Sequence, residues 1–171
     1  MKEIFHKKIL NTHIYVCKIT SSYEDQIKNP LLNSAELISA KELKNEKRKK
    51  EFLSSRIALK KIFNKELELK HHKSGKPFIK EAKHLSISHS SNFLALAYGD
   101  ENIGIDIEKP QNRMVKIMPK ILSEIELMEF KKEPSIDLAC KLWGAKEAIL
   151  KYVGEKNLNY KEDIKVENIQ L

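Results

Sequence analysis

The sequence predicts a mixed α/β fold of the α+β kind, and two periodicities predict it. Apolar residues alternate with polar or small ones around 13–19, 85–98 and 103–107, the spacing of strands. They recur at three- and four-residue intervals in 39–63, 112–130 and 136–153, the spacing of helices.

In chain order, residues 3–9 and 13–19 read as two strands with Asn11-Thr12 as the turn, and the polar stretch 20–33, with Pro30, as a loop or short helix. A long helix is predicted from Ser39, which forms a capping box with Glu42. Its apolar stripe is Leu43, Phe52, Leu53, Leu59, Ile62 and Phe63. Arg56 emerges from that apolar face, so its guanidinium meets either a structural carboxylate or a ligand anion. His71-His72 precede a polar turn into a short strand and read as surface, because adjacent side chains on an extended chain point apart. Residues 85–98 form a hairpin broken at Ser91-Asn92. Ser88-His89 lack triad spacing, which favours hydrogen bonding or phosphate contact over covalent catalysis. Residues 112–130 give one helix or two, the second capped by Ser123 and Glu126. A helix over 136–153 starts after Pro134-Ser135 and ends at Gly154, with a core stripe of Leu138, Leu142, Ala145, Ile149 and Tyr152. Residues 164–171 alternate weakly and read as one strand.

The composition, 41% hydrophobic and 33% charged over 171 residues, is that of a globular protein of one domain or two closely packed halves. No apolar run approaches the roughly 20 residues of a membrane span, and no secretory signal core opens the chain. Two isolated cysteines, Cys17 and Cys140, point to reduced thiols and a cytoplasmic location, with a single disulfide as the open alternative. Of the net charge of +8, most sits in residues 41–73, where twelve Lys and Arg face five Glu. Such a segment attracts a polyanion: nucleic acid, an acidic protein or a phosphate-rich small molecule.

The informative stretch is Asn102-Ile103-Gly104-Ile105-Asp106-Ile107-Glu108-Lys109-Pro110. On a strand the three isoleucines face one way and Asp106 and Glu108 the other, roughly 6.5 Å apart, close enough for one cation. Alone, this is most simply a strand with a wet face. On the helix over 136–153, however, Trp143, Glu147 and Lys151 share a flanking face. A surface ion pair is the plain account of Glu147 and Lys151; a third carboxylate and a cation aimed at the strand is the functional one. An all-oxygen set suits Mg²⁺ or Mn²⁺, and Mg²⁺ usually completes its shell with phosphate and water.

Five pieces in this order resemble the 4′-phosphopantetheinyl transferase superfamily, the surfactin-synthetase-activating type. They are Phe52-Leu53-Ser54-Ser55-Arg56, Gly75-Lys76-Pro77, Ser86-Ile87-Ser88-His89-Ser90, Gly104-Ile105-Asp106-Ile107-Glu108, and Trp143-Gly144-Ala145-Lys146-Glu147-Ala148 with Lys151. The resemblance implies transfer of the 4′-phosphopantetheine arm of coenzyme A to a serine of an acyl or peptidyl carrier protein, with release of adenosine 3′,5′-bisphosphate. It implies that Asp106, Glu108 and Glu147 hold Mg²⁺, or Mn²⁺, against the pyrophosphate. Glu147, directly or through a metal-bound water, takes the serine proton, and Lys151 neutralises developing charge. Arg56, Lys76, Ser88 and His89 contact coenzyme A, with Lys47 and Arg48 as further candidates. An acidic carrier protein suits the basic segment.

The implied fold is a pseudo-twofold pair of halves, residues 1–99 and 100–171, with coenzyme A between them. The second half reads as lacking its last strands, which leaves a sheet edge and either a monomer or a dimer through that edge. Two rival functions stand beside this one. A non-catalytic homologue would bind coenzyme A or carrier only. A nucleic-acid-binding protein would explain the basic segment but not three carboxylates, and no stacked-aromatic or helix-turn-helix signature supports it.

Overall fold

The computed structural model describes residues 1–155 and 157–167. The elements run β1 (Lys2–Ile9), β2 (Thr12–Lys18), α1 (Tyr23–Gln26), α2 (Ser34–Glu42), α3 (Glu46–Phe63), β3 (Lys70–His71), β4 (Pro77–Phe78), β5 (His84–Ser90), β6 (Phe93–Gly99), α4 (Asn112–Ile121), α5 (Glu124–Lys132) and α6 (Ile136–Val153). This is the mixed α/β architecture that the periodicities predict. β1, β2, β6 and β5 form one antiparallel sheet in the order β1-β2-β6-β5, and β3 pairs with β4.

The β5–β6 pairing sorts residues onto two faces. Leu85, Ile87 and His89 lie opposite Tyr98, Leu96 and Leu94, while Ser86, Ser88 and Ser90 lie opposite Ala97, Ala95 and Phe93. The large apolar set joins Tyr15, Cys17 and the α3 residues Ala58 and Leu59 in one core. Burying leucines as completely as Leu94 and Leu96 contributes about 1.5–3 kcal/mol each. Apart from Phe93 at its end, the serine face carries small side chains, which leaves room for another segment of chain to approach. A second core forms among α4, α5 and α6, around Met114, Met118, Phe130 and Leu142.

Several boundaries differ from the sequence reading. The helix predicted from Ser39 is two helices. Asn33 caps α2 in a capping box with Glu36, and Asn45 caps α3 by accepting from the Arg48 N–H, so Ser39 lies inside α2. The first hairpin turns at Leu10-Asn11, one residue early, with Leu10 in the left-handed region at φ 52°. On α6, Ile149 and Tyr152 are exposed and Lys146 takes a place in the core. The strand expected at 103–107 is not part of any ladder, nor are residues 164–167, and residues 168–171 lie outside the described residues. The Ser123 capping box, the Ser135 cap and the left-handed Gly154 end of α6 stand as read. Both cysteines are free thiols. Among the described residues no helix is long and apolar enough to cross a membrane.

Candidate active site

Segment 103–109 runs alongside β5 and is tied to it through side chains. The Ser86, Ser88 and Ser90 hydroxyl oxygens accept from the backbone N–H groups of Ile105, Ile107 and Lys109 at 3.0, 3.3 and 3.0 Å. Period two on β5 thus matches period two on the segment, in parallel register. These N–H groups go to hydroxyls instead of carbonyls, which is why the segment is extended without being a ladder strand. Two of the serines spend their protons on the carboxylates: Ser88 donates to Asp106 Oδ1 at 2.7 Å and Ser90 to Glu108 Oε2 at 2.8 Å. A serine ladder therefore sets both the backbone position of the segment and the orientation of its two acidic side chains. Sequence reasoning assigned only Ser88 a role. The i, i+2, i+4 spacing of three serines opposite an acidic strand pattern was the available signal for the other two.

Lys151, from the last turn of α6, completes the cluster. Its Nζ donates to Asp106 Oδ1 at 2.7 Å, to Ser88 Oγ at 2.9 Å and to the Ile105 carbonyl at 3.2 Å. Asp106 is almost wholly buried, and its second oxygen, Oδ2, is buried without a hydrogen-bond partner. A buried, unpaired carboxylate oxygen is costly unless something binds it, and an oxygen-liganded divalent cation fits that atom. Among the described residues, however, no group of three His, Cys, Asp or Glu is placed to hold one ion. Glu147 instead accepts a 2.6 Å hydrogen bond at Oε1 from the hydroxyl of Tyr160, a residue sequence reasoning did not single out. Burial, then the hydrogen bond and charge of Glu147, and then the charge of Asp106 raise the Tyr160 phenol far above its ordinary pKa, so it remains a donor.

The other candidates fall into three places. His89 Nε2 lies 2.9 Å from Ser55 Oγ, and the single Ser55 proton goes to the Glu51 carbonyl, so His89 is the donor and carries its proton on Nε2. Burial, reinforced by the charges of Arg48, Lys151 and Lys47, lowers its pKa to about 4. His89 is thus neutral near pH 7 and offers a ligand a hydrogen-bonding nitrogen within a cationic surround. Lys47 and Arg48 are exposed and pair with Glu51 at 3.7 and 2.9 Å. Lys76 donates to Asn102 Oδ1 and to the Tyr152 carbonyl, neutralising the C-terminal end of α6. Lys76, Ser86 and Lys151 line one cavity of about 250 Å³ between the β5 side and α6.

Arg56 stands apart from this group. It is 8% exposed, lies over the Phe52 ring, donates to the Phe52 carbonyl and has Glu36 at 3.9 Å. It lines a different cavity, with Glu36, Glu66 and Glu68. The carboxylate partner that its position on the helix allows is Glu36.

The family comparison falls on several of the same residues. Residues 102–170 match the 4′-phosphopantetheinyl transferase superfamily. That span holds Asp106, Glu108, Glu147, Lys151 and Tyr160. The chain is 34% identical over 86 residues to 4′-phosphopantetheinyl transferase Sfp of Bacillus subtilis, covering 47% of this chain and 38% of that protein. It is 29% identical over 97 residues to 4′-phosphopantetheinyl transferase gsp of Aneurinibacillus migulanus, covering 55% of this chain and 41% of that protein. The matches thus span about two fifths of the length of these curated relatives.

Proposed function

We propose that the protein transfers the 4′-phosphopantetheine arm of coenzyme A to a serine of an acidic acyl or peptidyl carrier protein in the cytoplasm, and releases adenosine 3′,5′-bisphosphate. The observation that carries this reading is the Ser88–Asp106–Lys151 cluster, because its Asp106 and Lys151 lie within the superfamily match and it joins a buried acid to a cation beside a cavity. Glu147 takes the proton of the carrier serine as its Oγ attacks the β-phosphate of coenzyme A. The new Oγ–P bond replaces the bridging P–O bond of the pyrophosphate, and Lys151 offsets the charge that the departing bisphosphate develops. Lys76 and His89, with Lys47 and Arg48 at the rim, hold the phosphates and adenine end of coenzyme A. Asp106, through its unpartnered Oδ2, would hold Mg²⁺ together with Glu108 and Glu147, which among the described residues are not gathered with it around one point. When bound, the ion neutralises pyrophosphate charge. The halves 1–99 and 100–171 form the two walls of the cleft.

The test is a mass spectrum of an apo carrier protein incubated with coenzyme A, Mg²⁺ and the full chain. A mass gain of one phosphopantetheine group is the expected result, with Asp106→Asn at least roughly a hundredfold slower. A folded preparation that modifies none of several acyl and peptidyl carriers overturns the reading.

A further inference from the structure

We propose that Tyr160 is the positioning residue of Glu147: its hydroxyl fixes one carboxylate oxygen, Oε1, and so aims the other, Oε2, at the reacting groups. The inference rests on the proposed role of Glu147, but its grounds are in the loop that carries Tyr160. Trp143, Lys146 and Glu147 sit at i, i+3 and i+4 on α6, and all three grip that loop. The Trp143 ring stacks on Tyr160, with centroids 5.6 Å apart and planes 15° from parallel. Lys146, with no exposed surface, donates to the backbone carbonyls of Tyr160 and Ile164 and to Glu126 Oε2. Glu126 Oε1 in turn accepts from the Val166 N–H at 2.7 Å, so the chain beyond Tyr160 is held as well. Next to Tyr160, the Asn159 side chain accepts from the Lys161 N–H at 2.8 Å and the Asn159 N–H donates to Asp163.

The hydroxyl of Tyr160 is therefore held from its ring, its own backbone and the residues on both sides. A donor fixed in this way holds a carboxylate at one rotamer without ordering cost at the moment of reaction. Among the described residues, Oε2 of Glu147 has no hydrogen-bond partner and is the oxygen left for chemistry. The buried ion pair of Lys146 and Glu126 thereby gains a purpose beyond stability, since it anchors the loop that delivers the phenol.

Y160F removes one oxygen atom and keeps the ring on Trp143. In the full chain, with coenzyme A and an apo acyl carrier protein, kcat is expected to fall roughly tenfold while KM for coenzyme A stays within about twofold. Titration of free Mn²⁺ by electron paramagnetic resonance, which needs no turnover, is expected to show binding roughly tenfold weaker in Y160F. If Y160F does not fold, Trp143→Phe serves in its place, since it loosens the stack without touching Glu147 and is expected to lower kcat about threefold with KM unchanged. Wild-type kcat and wild-type Mn²⁺ affinity in Y160F overturn the inference. So does a loss of kcat matched by an equal rise in KM and a lower melting temperature, because that marks a structural role. A wild-type chain that binds Mn²⁺ yet modifies no carrier overturns the proposed function alone, and the Mn²⁺ arm then decides on Tyr160. A wild-type chain that neither transfers nor binds Mn²⁺ overturns both.

Discussion

His89 shows how one residue's surroundings can contradict its usual chemistry. A histidine among phosphate-binding candidates invites a positive charge, yet burial and three cations lower its pKa to about 4 from 6.5. Between those two values the unfolded chain holds a proton that the folded chain does not. Stability from this group therefore rises with pH across the window and is lost as pH falls through it. Melting temperatures measured from about pH 7 down to about pH 4 are expected to fall more steeply in the wild type than in His89→Gln, which cannot take up the proton. Equal slopes would show that His89 is not neutral in the folded protein. Nearby, Asp106 and Glu108 each accept a hydrogen bond from a serine hydroxyl, Ser88 and Ser90.

The turn of the first hairpin is the element least suited to its residues. Leu10 is 89% exposed and adopts φ 52°, a conformation that costs a leucine roughly 1 kcal/mol and costs asparagine much less. The chain uses asparagine at the same kind of position where α3 ends, at Asn64 with φ 49°. Leu10→Asn is expected to add about 0.5–1 kcal/mol and raise the melting temperature by about 1–3 °C. A lowered melting temperature would mean that the exposed leucine has a partner in solution. Element identity was largely legible in the sequence because caps and periods are local: Ser123 and Ser135 start helices and Gly154 ends one at the positions the sequence predicts. What was not legible depends on partners distant in sequence. Lys146 is buried because Glu126 and two carbonyls wait for it, and no spacing rule puts a lysine in a core stripe. Segment 103–109 alternates like a strand but bonds to hydroxyls, which the alternation of its own side chains cannot reveal. For the site, a cation from the last helix aimed at the strand carboxylates was one of two open readings of Lys151, and its Nζ reaches Asp106. The grip of Tyr160 on Glu147 depends on how the loop after α6 folds back.

At the scale of the molecule, the two cores meet across segment 103–109, and two glycines decide how closely. A Cβ on Gly104 would fall onto the Ala148 carbonyl oxygen and within 2.7 Å of the Tyr152 nitrogen, both backbone atoms of α6. Neither can move without displacing the helix that carries Glu147 and Lys151. A Cβ on Gly144 would sit 3.6 Å from Asp106 Oδ2, an ordinary contact distance, but against the one buried carboxylate oxygen among the described residues that has no partner. The two positions should therefore separate stability from function. Gly104→Ala is expected to cost at least about 3 kcal/mol, seen as a lower urea midpoint, and to lose activity with the docking of α6. Gly144→Ala is expected to keep the fold and gain up to about 1 kcal/mol, since alanine is the better helix former. In the proposed transfer reaction it is nonetheless expected to be at least roughly tenfold slower, because its methyl group occupies the approach to Oδ2. Urea unfolding and transfer rates measured side by side on both variants check the pair. Full activity in Gly144→Ala would show that Oδ2 is not the oxygen the reaction uses, and an unperturbed Gly104→Ala would show that α6 does not rest on the segment.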